Sequence, residues 1–140
     1  MKYLLIVLAA IFLYDFEQRS TDLTLEVTNV KNESGVVRIL LFKGETGFPG
    51  DVGKAFRNAS VPIKGNKATI VFKDLPEGEY ALSVFHDSLN TGKLRTNAMG
   101  IPRDGYGFSN NASGTFGPPK YKDASFKVTT DQNQVSIKLR

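Results

Sequence analysis

At 140 residues, 41% hydrophobic and 23% charged, the chain has the size and balance of one folded domain rather than of a disordered polymer. It contains no cysteine, which excludes disulfides, thiolate metal sites, a cysteine nucleophile and a lipidated cysteine. The net charge of +4 is dispersed, with Lys and Arg scattered among Asp and Glu from Lys31 to Arg140, so the clustered basic face expected of a nucleic-acid binder is missing.

The N-terminus carries Lys2, an apolar run from Tyr3 to Tyr14, then Asp15, Glu17, Gln18, Arg19 and Ser20. This order reads as a secretory signal peptide over residues 1–20, ahead of a single domain over residues 21–140. The run of 12 residues falls short of the roughly 20 that a membrane-crossing helix needs. No A-x-A precedes a plausible cut, which leaves an uncleaved anchor as the alternative and a first buried strand or helix of a cytosolic domain as the other reading. The expected location is periplasmic, outer-envelope or secreted. Removing residues 1–20 leaves the net charge at +4, because Lys2 and Arg19 balance Asp15 and Glu17.

Beyond residue 20 the apolar residues recur with period two, the spacing of a half-buried strand. Leu23, Leu25 and Val27 form a first strand and Asn32-Glu33-Ser34-Gly35 a turn. Val36 to Phe42, apolar on both faces apart from Arg38, then reads as a central strand. Val61 and Ile63 mark a third strand, Ala68, Ile70 and Phe72 a fourth, and Ala81 to His86 a fifth after the turn signal Pro76-Glu77-Gly78. Ala124, Phe126 and Val128, then Val135, Ile137 and Leu139, close the chain. About seven short strands predict an all-β, antiparallel two-sheet Greek-key sandwich of immunoglobulin or transthyretin type, with a barrel as the alternative. Residues 43–60 read as a loop with at most one helical turn around Gly53 to Arg57. Residues 87–123 form a far longer loop with six of the thirteen glycines, three of the six prolines, and the aromatics Tyr106, Phe108, Phe116 and Tyr121. A loop of that length is usually functional or disordered, and spaced aromatics predict order.

The segments GEYALSVFHD, NTGKL and GIPRDGYGFSNNASGTFGPPKYKDASF resemble the bacterial exported family catalogued as domain of unknown function 2141. The likeness covers about residues 22–140 and is most specific from Gly78 to Phe126. It implies a signal peptide followed by a sandwich similar to transthyretin-like or carboxypeptidase-regulatory modules, and it brings no established activity. Typical members continue from His-Asp as D-x-N-x-N-G-x-x-D, an oxygen-rich pattern suited to calcium. Here Asp87 and Gly92 are kept, but Leu89 and Thr91 replace ligand positions and Arg95 replaces the later acid. The expectation is therefore no cofactor, with Asp87 and Asn90 as weak calcium candidates and a hydrogen-bonded turn capped by Asp87 as the simpler reading.

Other chemistry is sparse. His86 is the only histidine, so a zinc site of two or three imidazoles cannot be built within one chain. Ser109, His86 and Asp87 formally suggest a hydrolytic triad, yet Gly107-Phe108-Ser109-Asn110-Asn111 lacks the second glycine of a nucleophile elbow, and adjacent strand residues point to opposite faces. Gly105-Tyr106-Gly107-Phe108-Ser109-Asn110 misses the last glycine of a dinucleotide loop. Asn32, Asn58 and Asn111 each begin a glycosylation acceptor pattern, a weak excess over chance.

The reading is a non-catalytic exported module, expected to be monomeric. It binds a protein, glycan or envelope component through the loop 87–121, with His86, Asp87, Asn90, Tyr106, Phe108, Ser109, Asn110 and Asn111 as candidate binding residues. The alternatives are an assembly protein that pairs through a sheet edge, a degenerate calcium module at Asp87, and, less favoured, an enzyme.

Overall fold

The computed structural model describes residues 17–140. Most of the expected signal peptide therefore lies outside the described residues. The alternating segments fold as strands β1 (Ser20–Thr28), β2 (Val36–Phe42), β3 (Arg57–Val61), β4 (Ala68–Pro76), β5 (Gly78–Asp87), β6 (Tyr106–Phe108), β7 (Phe126–Val128) and β8 (Gln134–Lys138). A short helix α1 (Tyr121–Ala124) precedes β7. No helix of the described residues is long and apolar enough to cross a membrane.

Two sheets stack as the period-two pattern requires, in the orders β4-β1-β8 and β3-β2-β5-β6, with β7 also pairing to β5. Their inner faces interlock Leu23, Leu25 and Val27 with Val37, Ile39, Leu41, Tyr80, Leu82 and Val84, all essentially buried. Burial of such side chains supplies about 1.5–3 kcal/mol each and is the main stabilising term. The all-β sandwich is thus what the sequence predicts, with three local differences. Eight strands form rather than about seven, because β6 lies inside the predicted loop. The β1–β8 pair is parallel, whereas the sequence reading makes every pair antiparallel. The third strand sits earlier than Val61-Ile63: Arg57–Val61 pairs with β2, and Ile63 is buried just beyond its end.

Pro76-Glu77-Gly78 does form a sharp bend, but one that carries the chain from one sheet to the other, since β4 and β5 belong to different sheets. The Tyr80 hydroxyl donates to the Pro76 carbonyl at 2.6 Å and braces this corner. On the opposite side the sheets are tied by reciprocal backbone bonds between Tyr106 and Arg140, at 3.2 and 3.1 Å. That approach requires Gly107. A Cβ there would lie 2.7 Å from Ile137 Cγ2 and 3.3 Å from the Lys138 carbonyl oxygen.

Candidate functional site

The outer face of the larger sheet carries Arg38, Leu40 and Phe42 from β2, paired with Phe85, Ser83 and Ala81 of β5, and beyond them Tyr106 and Phe108 of β6. An apolar sheet face must be covered, and the second half of the long loop covers this one. Ala81, Phe108 and Ala124 form a small second core with Phe48, Tyr106, Ala112 and Tyr121 against it. The rings meet edge-on or tilted, Phe48 to Phe42 at 5.5 Å, Phe48 to Tyr121 at 5.8 Å and Phe48 to Phe108 at 6.1 Å. Such pairs add about 0.5–1.5 kcal/mol beyond area burial.

The candidate residues of this half are each tied into the fold, although Asn110 and Asn111 remain exposed. Phe108 is buried and Tyr106 half-buried, so the expected stacking platform is turned inward. Ser109 is fully buried: its hydroxyl donates to the Ala124 carbonyl and accepts the Leu82 amide at 2.9 Å. Asn110 and Asn111 both take positive φ, which asparagine tolerates. The Asn110 amide donates to the Asp123 and Ser125 carbonyls, and Asn111 Oδ1 accepts the Lys138 amide at 3.0 Å.

The first half begins at His86 and Asp87, also buried. Their alternation puts His86 across from Val37, on the inner face, where Nε2–H donates to the Ser34 carbonyl at 2.7 Å; since a carbonyl only accepts, that nitrogen carries the proton. Asp87 faces the other way. Its Oδ2 accepts from Arg38 Nε and from the Gly92 amide at 2.8 Å, and its Oδ1 from the Thr91 amide at 2.9 Å. Burial raises the Asp87 carboxyl, but the Arg38 guanidinium and the two amides outweigh it, so the pKa sits below the ordinary value. His86, Asp87 and Ser109 make no hydrogen bonds to one another, so the triad geometry is not assembled among these residues.

Arg38 is the residue that sequence reasoning missed. It also donates to Asn90 Oδ1 at 2.8 Å and to Ser60 Oγ at 2.9 Å. The two oxygen-bearing side chains marked as calcium candidates, Asp87 and Asn90, thus converge on a guanidinium that already supplies the positive charge. Among the described residues no group of three or more His, Asp or Glu is placed to hold a metal. A parallel clamp lies further along: Arg95 pairs with Asp104 through Nε at 2.9 Å and Nη2 at 2.8 Å, and both contact Ser88 Oγ. The Arg95 bond lowers the Asp104 pKa more than burial raises it. A lone Arg on a strand that is apolar on both faces was the available signal for the first clamp.

A family model for an uncharacterized protein conserved in bacteria, domain of unknown function 2141, matches residues 25–136, from the middle of β1 to the middle of β8. The chain belongs to this family. The match to domain of unknown function 2141 encloses both clamps and the second core, so both are built inside the family's unit. No curated protein and no solved structure matches the chain.

What the two clamps support is exposed. Thr96 pairs with Pro102, and the Arg103 amide donates to the Arg95 carbonyl at 2.8 Å, which makes residues 95–103 a small hairpin. Its tip presents Met99, 83% exposed, and Ile101, 54% exposed. With Leu89 and Phe116, the long loop holds four of the seven exposed large hydrophobic residues among those described. A second feature lies at the other sheet. Asn110, Phe126, Lys127 and residues 131–136 line an open groove of about 690 Å³ beside β8. Asn133 and Leu139 bond toward β1, whereas the Lys138 amide bonds outward to Asn111. By strand alternation Gln134 and Ser136 turn their backbone groups into this groove.

Proposed function

We propose that this chain is an exported, non-catalytic binding module that contacts a component of the bacterial envelope through the loop 87–121. The observation that carries the reading is the concentration of exposed apolar side chains on a loop whose base is fixed by two arginine–aspartate clamps. Fixing the loop in advance lowers the ordering cost of association. The contact residues in this reading are Leu89, Met99 and Ile101 rather than Tyr106 and Phe108, which hold the scaffold together. The non-catalytic part rests on His86 Nε2 and the Ser109 hydroxyl, both engaged inside the fold, and export rests on the Tyr3–Tyr14 run. Replacing Met99 and Ile101 together with Ser, with the thermal melt unchanged, is expected to abolish co-sedimentation of the purified chain with isolated bacterial envelopes. Undiminished co-sedimentation overturns the reading.

A second reading, assembly through a sheet edge, is favoured by the free backbone of Gln134 and Ser136 beside an open groove, the arrangement used when an extended segment adds to a sheet. Ser136→Pro removes an outward amide without touching the β1–β8 ladder. In this second reading it abolishes association while the Met99 and Ile101 substitutions leave it intact.

A further inference from the structure

We infer that the hairpin 95–103 is a membrane-surface anchor, with Met99 and Ile101 entering the interface of an anionic bilayer and Arg103 and Lys93 meeting its phosphates. This inference rests on the reading of the loop as the contact surface and specifies the envelope component as lipid.

The first support is backbone chemistry. A peptide entering a poorly hydrated medium must satisfy its own amides, since each one left open there is costly. At this tip the work is done by one residue, through its side chain and its backbone. Asn97 Oδ1 accepts the Met99 amide at 2.9 Å and the Ile101 amide at 3.0 Å, the Asn97 carbonyl accepts the Gly100 amide at 3.0 Å, and the Asn97 amide donates to the Ile101 carbonyl at 2.9 Å. The turn thereby presents two large apolar side chains over a backbone whose donors are largely spent.

The second support is charge. Arg95 is neutralised by Asp104. Arg103 and Lys93 are exposed and form no ion pair among the described residues. Arg103 follows Ile101 by two residues, within about 7 Å along an extended chain, and a long side chain at that position keeps its head in the headgroup layer while its stem lies along apolar surface. The chain as a whole, at net +4, does not oppose approach to an anionic surface.

The third is shape. A protein partner usually requires roughly 800 Å² of complementary surface from each side. Two side chains on a convex tip do not offer that, whereas a lipid interface asks for apolar area and charge without a matching contour.

The absence of cysteine permits a direct test on the full chain. Met99→Cys carries an environment-sensitive nitrobenzoxadiazole label, and Lys64→Cys, on the exposed turn between β3 and β4, carries the same label as a control. Vesicles of three parts phosphatidylethanolamine to one part phosphatidylglycerol are expected to blue-shift the label at 99 and not at 64, with little change on pure phosphatidylcholine. Lys93→Gln and Arg103→Gln are each expected to weaken the titration about fivefold. A label at 99 that stays in water, shifts together with 64, or responds equally to phosphatidylcholine overturns the inference. This readout separates the tip from attachment through the apolar N-terminal run, which would leave position 99 in solvent. A benzophenone at the same cysteine, irradiated with isolated envelopes, distinguishes the two levels of the argument. A protein adduct without a lipid shift overturns the lipid assignment and keeps the loop as the contact surface, while neither signal overturns both.

Discussion

The two halves of the long loop, each with two glycines and a few large apolar side chains, meet different fates. Residues 88–104 leave the end of β5 and stand away from the sheet, held only at their base by Arg38–Asp87 and Arg95–Asp104, with Met99 and Ile101 in solvent. Residues 109–124 turn back over the outer face of the larger sheet, where Ser109 and Asn110 stitch them down and Phe108, Tyr121 and Ala124 are covered, while Phe116 alone among their large apolar side chains stays in solvent. The difference lies in the route of the backbone, not in residue type. An apolar side chain over a sheet face joins a core, and the same kind of side chain beyond the sheet's end stays in solvent, where it is available for contact. Polar groups decide which route is taken. The buried Ser109 hydroxyl and the exposed Asn110 amide tie the second half to the sheet, and charge pairs fix the first half without covering its tip.

Substitution within the second half should have the largest effect on stability. Phe108→Ala removes a buried ring that packs with Phe48 and Tyr106, and is expected to cost about 3–5 kcal/mol, read from chemical unfolding. A cost below about 1 kcal/mol would mean that the second core does not hold the loop down, and the contrast between the halves would fail.

Next in size is the base of the first half. Arg38→Leu leaves the Asp87 carboxylate, 1% exposed, without its guanidinium, and is expected to cost about 3 kcal/mol at neutral pH. The pair also sets the response to acid. The folded pKa values of Asp87 and Asp104 lie below their ordinary values, so their contribution is complete above the unfolded value of about 3.9 and is lost as pH falls through the lower folded values. The wild-type chain should therefore lose stability progressively below about pH 4. With Arg38→Leu that loss should shrink, because Asp87 no longer has a depressed pKa to forfeit. An acid profile identical in both proteins would show that Arg38 does not hold the Asp87 proton off.

Much of this was legible in the sequence. Period-two alternation locates the inner faces of β1, β4 and β8, because a strand with one buried face writes that fact into every second residue, whereas β2, apolar on both faces, is legible as a central strand only. Alternation also places His86 and Asp87 on opposite faces. The parallel β1–β8 pairing was not legible, because alternation reports a strand's face and not its partner. Nor was β6, where Tyr106-Gly107-Phe108 is too short and too glycine-rich to read as a strand. The candidate site was legible as a region and not as residues. Aromatics in a Gly/Pro loop identify an ordered segment, but only the chain's return over the sheet decides that Phe108 faces inward and Met99 outward. Arg38 escaped because its partner Asp87 lies 49 residues away.

Gly107 tests the seam between the halves, since β6 follows the hairpin and contributes Phe108 to the second core. Gly107→Ala places a methyl group against Ile137 Cγ2 and the Lys138 carbonyl, and is expected to cost about 1–3 kcal/mol by overpacking. Hydrogen exchange should show the loss as faster exchange at Tyr106 and Arg140, whose reciprocal bonds close that side of the sandwich. Unchanged protection there would mean that the closure does not depend on the close approach of β6 to β8.

The smallest effect on stability belongs to the tip. Met99→Ser with Ile101→Ser exchanges exposed apolar surface for polar surface, leaves Asn97 with the same backbone donors to accept, and touches neither clamp. Surface changes of this kind alter stability by about 0.5 kcal/mol or less, so the unfolding midpoint should match that of the wild-type chain. A much larger loss would show that Met99 and Ile101 help to hold the hairpin, making the first half a covered structure like the second. A neutral result leaves two large apolar side chains on a braced hairpin that the fold does not need, which is what a surface kept for a partner requires.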